Sequence, residues 1–283
     1  MTMTNLVLQG PGAAASTLEA LAALAAPARV TVLPSGALRC DDVAHTPDVV
    51  DAVQAAALAA QVDATFIEAG RTLADFSLVA MDMDSTLITI ECIDEIADMQ
   101  GLKAEVSSIT EAAMRGELDF SASLTRRVAL LAGLEASALE RVYEERLRLS
   151  PGAETMLAAV RQAGLKTLLV SGGFTFFTDR LKARLGLDYA HANVLEVENG
   201  RLTGRVVGGI VDAEEKMRTV ARVCAELGVD TRRAIVMGDG ANDLRMMGIG
   251  GLSVAFRAKP VVRAQADVAL NVSGLDGVLA VLA

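Results

Sequence analysis

From Leu78 onward, short apolar segments alternate with longer amphipathic ones. The apolar segments are aliphatic and end near small or acidic residues, a pattern typical of strands that stop at a turn. Five strands are predicted in this way: Leu78 to Met81, Lys166 to Val170, Ala234 to Met237, Leu252 to Ala255 and Val268 to Leu270. Helices are predicted between strands, as at Gly152 to Ala163 and Glu214 to Leu227. The alternation predicts an α/β fold with a parallel sheet, helices on both faces and a ligand site at the carboxyl ends of the strands.

Two inserted segments interrupt this alternation. From about residue 91 to residue 149 the pattern is helical throughout, which predicts a helical cap placed after the first strand. Near Asn199 and Gly200 a turn dipeptide lies between two extended stretches, which predicts a β-hairpin.

Residues 1–77 form a different unit, which predicts a boundary between a small α+β domain and a larger domain over 78–283. The expected strands are Asn5 to Leu8, Arg29 to Leu33 and Ala64 to Ile67, and the expected helices are Ser16 to Leu24 and Asp48 to about Gln61. A complete βαββαβ unit would need a further strand around Ala37 to Val43, where Arg39, Asp41 and Asp42 make a strand a poor prediction. A packing extension and a regulatory role are equally compatible with this unit.

The charge and cysteine content exclude several classes of protein. The chain has 36 acidic and 26 basic residues, a formal net charge of −10, which argues against a protein that tracks a nucleic-acid backbone. Its three cysteines lie far apart and in no CxxC pair, so neither a disulfide framework nor a thiolate zinc site is indicated. No signal peptide and no membrane span is recognisable, and we therefore expect a cytoplasmic protein with no membrane or nucleic-acid partner.

The strongest chemical motif is the pair Asp82 and Asp84, at the end of the first predicted strand. A carboxylate is ionised at neutral pH, so Asp82 can attack phosphorus without a base and form an acyl phosphate. Asp84, two residues on, could protonate the leaving alkoxide and then deprotonate the hydrolytic water. An acidic turn that merely caps a helix is the alternative explanation for such a pair.

A second acidic motif follows another apolar strand, over Gly238 to Asp243. Mg²⁺ prefers carboxylate, carbonyl and water oxygens, so one or two carboxylates are enough to hold it. Asp239 is predicted as a direct ligand beside Asp82 and the main-chain carbonyl of Asp84, and Asp243 as the residue that orients a water on the metal.

Two further elements could bind phosphate. Ser171, Gly172 and Gly173 follow a third strand and open a helix, so they can offer a hydroxyl and unhindered main-chain N–H groups. Lys216, near the start of a later helix, could supply a cation, although a single helical lysine usually faces solvent.

The order of these motifs, with each at or just beyond a predicted strand, resembles the haloacid dehalogenase superfamily of phosphohydrolases over residues 75 to 283. That resemblance implies a Rossmann-like sheet with a cap after its first strand. It further implies the site residues: nucleophile Asp82, acid/base Asp84, phosphate-binding Ser171 and Lys216, and Mg²⁺ ligands Asp82, Asp84 and Asp239.

The cap sequence is similar to that of the phosphoserine phosphatases within this superfamily, which implies O-phosphoserine as substrate and a place at the end of serine biosynthesis. By this resemblance Glu91 pairs with the substrate ammonium and Arg127 with its carboxylate. Met114 and Phe120 would line the pocket, and Asn242 would orient the phosphate side. Simpler alternatives stay open, since Glu91 could be a helix-terminal acid, Met114 and Phe120 ordinary cap core, and Arg126 rather than Arg127 the inward residue.

The front 77 residues resemble, in element order only, the ACT-like regulatory domain that precedes some phosphoserine phosphatases. This implies an amino-acid effector, with serine as the expectation; a homodimer is compatible with the sequence, which does not fix the oligomeric state. Two other functions stay open, a phosphatase or phosphotransferase for another small phosphomonoester and a non-catalytic amino-acid sensor. Serine–histidine hydrolysis is not expected, because His45 and His191 have no GxSxG partner.

Overall fold

The computed structural model describes residues 3–114 and 117–283, with side chains from 3–110 and 117–283. Their strands form two separate sheets. A four-stranded sheet belongs to the front of the chain, and a seven-stranded sheet belongs to the rest. Among these residues no helix is both long and apolar enough to cross a membrane.

The front unit has the element order βαββαβ. Its elements are β1 (Thr4–Gln9), α1 (Ala15–Leu24), β2 (Arg29–Val32), β3 (Leu38–Asp41), α2 (Pro47–Ala59) and β4 (Asp63–Glu68). All its strand pairs are antiparallel, and the two helices pack on apolar residues of the sheet.

Strand β3 lies where charged residues made a strand a poor prediction. Its charges alternate with apolar residues, so Leu38 and Cys40 are buried while Arg39 and Asp41 lie on the other face. There Asp41 pairs with Arg39 and, across the strand pair, with Arg29 at 2.6 Å. The alternation of faces therefore accommodates charges that looked incompatible with a strand.

The larger sheet is parallel except for its last strand pair. Its strands are β5 (Leu78–Met81), β6 (Lys166–Phe174), β7 (Tyr189–Glu198), β8 (Arg201–Val207), β9 (Ala234–Gly238), β10 (Leu252–Phe256) and β11 (Val268–Leu270). The strand order is β11-β10-β9-β5-β6-β7-β8 in this sheet and β2-β3-β1-β4 in the front sheet. The five predicted strands are all present, and β7 with β8 is the predicted hairpin. The structure adds that β7 also pairs parallel with β6.

Strand β5 lies at the centre of this sheet and is fully buried. Val79 and Met81 pack into the core on one face, whereas Leu78 and Ala80 pack into the core on the other. The two faces are covered by helices that include α7 (Ala153–Gln162), α8 (Thr175–Leu185), α9 (Ala213–Glu226), α10 (Leu244–Ile249), α11 (Pro260–Arg263) and α12 (Gly277–Val281). Helices on both faces of a parallel sheet confirm the predicted fold class.

The inserted cap between β5 and α7 is helical, as predicted. Its helices are α3 (Cys92–Asp98), α4 (Lys103–Met114), α5 (Phe120–Ala129) and α6 (Ser137–Arg141), the last continued by a π-type turn over Val142–Arg146. An isolated bridge between Ile88 and Leu149 joins the two chain segments at the base of the insert.

A buried carboxylate joins the front unit to the C-terminal segment. Asp63, 2% exposed, accepts hydrogen bonds from the main-chain N–H groups of Asn271, Val272 and Ser273 at 2.8 to 3.2 Å. Gln9 donates to the carbonyl of Gly277 nearby. These bonds anchor the front sheet to the end of the larger one; the domain boundary at residues 77 and 78 stays a prediction.

Candidate active site

Asp82 follows the central strand β5 directly and begins a π-type turn over Met83–Leu87. Its carboxylate accepts a hydrogen bond from the N–H of Met83 at 2.7 Å. Ser85 has φ of 55°, in the left-handed region that non-glycine residues seldom adopt. The turn therefore places Asp82 at the carboxyl end of the sheet, where the sequence pattern predicted a ligand site.

Lys216 lies between two aspartates in the interior of the site. Its Nζ is 2.9 Å from Asp82 Oδ1 and 2.8 Å from Asp243 Oδ1, and its side chain is 1% exposed. It is buried because α9, capped by Asp212, turns one apolar face inward, and Lys216 lies on that face with Thr219, Val220 and Val223. Burial alone would lower the pKa of Lys216, but attraction to Asp243 and Asp82 outweighs it and raises the pKa.

The loop after β9 brings the second acidic motif to the same place. Asp243 is fully buried, and its Oδ2 accepts from the N–H groups of Asp239 and Gly240, each at 3.1 Å. A side chain at Gly238 would overlap the carboxylate of Asp243, so this turn requires glycine. A Cβ at Gly240 would likewise overlap the side-chain Oδ1 of Asn242, which places Asn242 on the same loop beside the acidic cluster.

The carboxylates of Asp82, Asp239 and Asp243 each offer an oxygen within 4.8 Å of the others. Burial and then the charge of Asp243 raise the pKa of Asp82, and the same two causes raise the pKa of Asp239 to about 7. Three crowded carboxylates facing one lysine leave an excess of negative charge that a divalent cation would neutralise. The donor set consists of hard oxygens, so the cluster fits a divalent metal of the magnesium type.

The predicted metal roles of Asp84 and Asp243 do not follow from this cluster alone. The Asp84 carboxylate is not among the three; it accepts from the N–H of Cys92 at 3.0 Å, and ligation through its main-chain carbonyl stays a prediction. Both carboxylate oxygens of Asp243 already accept from protein donors, so its predicted role in orienting a water also stays a prediction.

Asp84 is placed for acid–base chemistry. Burial and then the charge of Glu91 raise its pKa to about 7, although the hydrogen bond from Cys92 works in the opposite direction. A carboxyl group with a pKa near neutrality can donate a proton in one step and accept one in the next. The hydrogen bond from Cys92, which sequence reasoning missed, ties Asp84 to the first turn of the cap.

The predicted phosphate loop lies against these aspartates. Ser171 is fully buried, and its Oγ accepts from the N–H of Gly173 at 2.8 Å. A Cβ at Gly173 would lie 2.7 Å from Asp84 Oδ2 and 2.8 Å from the methyl group of Met83. Glycine at 173 therefore allows the loop to approach the acid–base carboxylate.

The cap contributes residues of both charges. Glu91 precedes α3 but does not cap it; instead it accepts a 2.6 Å hydrogen bond from Ser85 Oγ. Arg127 is half-buried on α5, whereas Arg126 is exposed, which decides which arginine points inward. Burial lowers the pKa of Arg127, and the charges of Asp94, Glu91 and Asp84 partly restore it.

Arg127 also has unused hydrogen-bonding capacity. Its Nε is buried and has no hydrogen-bond partner among the described residues, and the same holds for Oδ1 of Asp94. A buried guanidinium nitrogen without a partner is costly, so such an atom marks a place for an acceptor from outside the protein. Asp94 lies in the first turn of α3, and no sequence pattern singled it out.

The pocket-lining predictions fall partly within the described residues. Phe120 lies over the phosphate loop, since a Cβ at Gly172 would meet its ring Cζ at 2.8 Å. Met114 ends α4, and its side chain lies outside the described residues. Sequence reasoning missed Asn193, which donates to the carbonyl of Gly172 at 2.8 Å; its signal is a single amide in an otherwise apolar stretch of β7.

The site combines a buried carboxylate at the end of a central parallel strand, a lysine beside it and a glycine-rich phosphate loop. This combination defines a hydrolase of the phosphoryl-transfer type. The family model described as haloacid dehalogenase-like hydrolase matches residues 79–248. The chain belongs to this family.

Individual relatives extend the comparison. A protein of Polaromonas sp. named phosphoserine phosphatase is 59% identical over 212 residues, which cover 73% of this chain and 90% of the relative. The structure of a probable phosphoserine phosphatase from Vibrio cholerae matches with a TM-score of 0.83 and 35% identity over 99% of this chain and 86% of that one. A phosphoserine phosphatase structure described as a phospho-aspartyl intermediate analogue matches with a TM-score of 0.69 and 37% identity over 74% of this chain and 99% of that one.

Proposed function

We propose that this protein hydrolyses O-phosphoserine to serine and phosphate, with Mg²⁺ as its metal. One observation carries the substrate assignment: acidic Glu91 and half-buried Arg127 on the cap face a phosphoryl-transfer centre, and the Nε of Arg127 has no partner in the part of the chain that the structure describes. A zwitterionic amino acid needs a group of each sign, and guanidinium suits its carboxylate. The relatives named phosphoserine phosphatases support the same substrate.

Asp82, Asp84 and the phosphate-binding residues each have a separate role in the reaction. Asp82 attacks phosphorus, the bond to the serine oxygen breaks, and Asp84 gives that oxygen its proton. Asp84, now ionised, takes a proton from the water that hydrolyses the aspartyl phosphate and so returns to its starting state. The phosphoryl oxygens are held by Ser171, by Lys216 and by main-chain N–H groups of the phosphate loop over residues 171–173, called the glycine loop below.

The metal has a defined place in this scheme. Asp82 and Asp239 would hold it, with the Asp84 carbonyl and Asp243 alongside, and it would supply positive charge to the phosphoryl group.

The experiment is a comparison of phosphate release from four substrates with and without Mg²⁺: phosphoserine, phosphothreonine, phosphoethanolamine and a sugar phosphate. We expect metal-dependent release with a strong preference for phosphoserine. Phosphoethanolamine lacks the carboxylate, so Arg127→Ala should remove the preference over it, whereas Arg126→Ala, an equal change of charge on the exposed neighbour, should keep it. Equal rates on all four substrates would leave a phosphatase for another phosphomonoester, and transfer to added alcohols would indicate a phosphotransferase.

We further propose that an amino acid, with serine as the candidate, acts at the front unit. A cleft of about 380 Å³ lies between the loop after β1 and the C-terminal segment, and it is lined by Gln9, Ser35, Ser273 and Asp276 among others. Carboxylate and amide groups there suit a zwitterion. Serine titration should give binding that Asp276→Ala weakens and that Asp51→Ala, exposed on α2, does not; a non-catalytic sensor would bind serine but release no phosphate.

We also propose that the protein is a cytoplasmic homodimer. Strand β2 is an exposed edge strand on which Val30 and Val32 are 45% and 69% exposed, and such edges favour pairing with a second copy. Light scattering should give twice the chain mass, and Val32→Lys should give the monomer mass. A wild-type protein of single-chain mass would contradict the dimer, and fractionation of cells would test the compartment.

A further inference from the structure

We propose that Asn193 is the positioning residue that fixes the two phosphate-binding elements, the glycine loop and the helix of Lys216, relative to each other. The inference rests on the proposed phosphatase function and goes beyond it. Asn193 touches none of the reacting groups directly, and it acts through the backbone of its neighbours.

The strand register creates the need for such a residue. Between the paired positions Val170 with His191 and Phe174 with Asn193, β6 advances four residues while β7 advances two. Residues 171–173 therefore bulge out of the ladder, so that the N–H of Gly173 bonds to Ser171 Oγ and main-chain groups of the bulge need partners other than the neighbouring strand. The side chain of Asn193 supplies one of these partners, since its Nδ2 donates to the carbonyl of Gly172 at 2.8 Å.

The other half of the same amide reaches a second element. Asn193 Oδ1 accepts from the N–H of Val211 at 2.8 Å, in the segment that leads into α9 one residue before its capping residue Asp212. Lys216 lies in the first turns of this helix. One rigid side chain, 1% exposed, thus links the glycine loop to the start of the helix that carries the lysine.

The chemistry of the two contacts requires an amide. A carbonyl can only accept and an N–H can only donate, so the residue must present one donor and one acceptor at once. Aspartate keeps the acceptor for Val211 but places a carboxylate oxygen against the carbonyl of Gly172. Alanine removes both bonds, so the part-buried carbonyl of Gly172 and the buried N–H of Val211 each lose this partner.

A displacement of the glycine loop relative to α9 affects phosphate binding in particular. The phosphoryl group is held jointly by the loop and by Lys216, so a shift of one against the other misaligns the donors. Displacements on the order of 1 Å in a positioned site reduce rates by about 100-fold. We expect Asn193→Asp to weaken binding of inorganic phosphate about 10- to 100-fold and to reduce kcat/KM by a similar factor.

A matched control separates positioning from stability. Asn5 is also buried, at 3% exposure, and its Oδ1 accepts from the N–H of Asp42 in the front unit, away from the site. Asn5→Ala and Asn193→Ala each remove a buried amide, so both should lower the melting temperature. Only the change at Asn193 should alter the phosphate dissociation constant.

The test is calorimetric titration of the Mg²⁺-loaded full chain with inorganic phosphate, for wild type, Asn193→Asp, Asn193→Ala and Asn5→Ala. Folded Asn193→Asp that binds phosphate within twofold of wild type would overturn the proposal. If neither Asn193 variant folds, amide hydrogen exchange of the wild type is the test. Phosphate should protect the amides of residues 171–174 and 211–216 together. Protection of residues 171–174 alone would contradict the link. Failure of the wild type to hydrolyse phosphoserine would refute the proposed substrate but not this binding comparison.

Discussion

Replacing Lys216 by methionine tests the electrostatic design of the site. The substitution keeps an unbranched side chain of similar length on the buried face of α9 but removes the charge between Asp82 and Asp243. Both carboxylates then lose a partner at less than 3 Å in the interior. We expect a large loss of stability together with a large loss of activity.

The size of the effect follows from the two contacts. A hydrogen bond to a charged group contributes about 1.5 to 3 kcal/mol, so two of them give about 3 to 6 kcal/mol. Removal of one partner from a buried ion pair costs about 3 to 5 kcal/mol, which agrees. A chain with a typical stability of about 5 to 15 kcal/mol would lose a substantial part of it. The rate should fall about 100- to 1,000-fold, because one donor to the phosphoryl group is lost.

The assay is urea unfolding of the metal-free protein, with Asp243→Asn and the double variant completing a cycle. In the Lys216→Met background, Asp243→Asn removes one of the two uncompensated carboxylate charges. The double variant should therefore be about 1 to 3 kcal/mol more stable than the sum of the two single effects predicts. Saturating Mg²⁺ should stabilise the methionine variant by about 2.7 kcal/mol at 100 times its dissociation constant. Additive effects, or unchanged stability of Lys216→Met, would refute the ion-pair account.

Three further predictions concern single features of the fold and site. Asp63→Ala leaves three N–H groups, that of Ser273 buried and those of Asn271 and Val272 part-buried, without their acceptor. It should destabilise the chain by about 3 kcal/mol in urea unfolding, against less than about 0.5 for exposed Asp51→Ala; equal effects would contradict the anchoring role. Gly173→Ala places a Cβ against Asp84 and should reduce kcat/KM about 100-fold without unfolding. Gly209→Ala, whose Cβ meets no atom of the described residues within 4 Å, should not; equal activities would show that the loop can move. Because the pKa of Asp239 is raised to about 7 and a metal needs the ionised carboxylate, metal affinity in calorimetry should increase from pH 6 to pH 8, and an affinity independent of pH would contradict this.

The sequence predicted the parts of the fold that follow from periodicity. Strands such as β5 and β9 are continuous apolar runs because both of their faces are buried, and such runs are visible without a structure. Strand β3 was a poor prediction because its charges alternate with apolar residues, and only the position of Arg29 across the strand pair explains their tolerance. The pairing of β7 with β6 depends on contacts between distant segments, which no local pattern encodes.

The same distinction applies to the site. Asp82 and Asp239 follow the neighbouring strands β5 and β9, so the topology brings their carboxylates together, as the motif order predicted. Lys216 was ambiguous alone, because a helical lysine is usually exposed; its burial follows from the apolar face of α9 around it. Asn193 had no motif, since its importance arises from a bulge in the neighbouring strand.

The central claim is that Asp82 is the nucleophile of a phosphoserine phosphatase, and phosphate release from O-phosphoserine by Asp82→Asn tests it most directly. Asparagine is nearly isosteric, and Asp243 remains to hold Lys216, so the variant should fold like the wild type. The account predicts metal-dependent release by the wild type and a loss of at least about 1,000-fold in folded Asp82→Asn. Release by the variant at the wild-type rate would contradict the covalent mechanism.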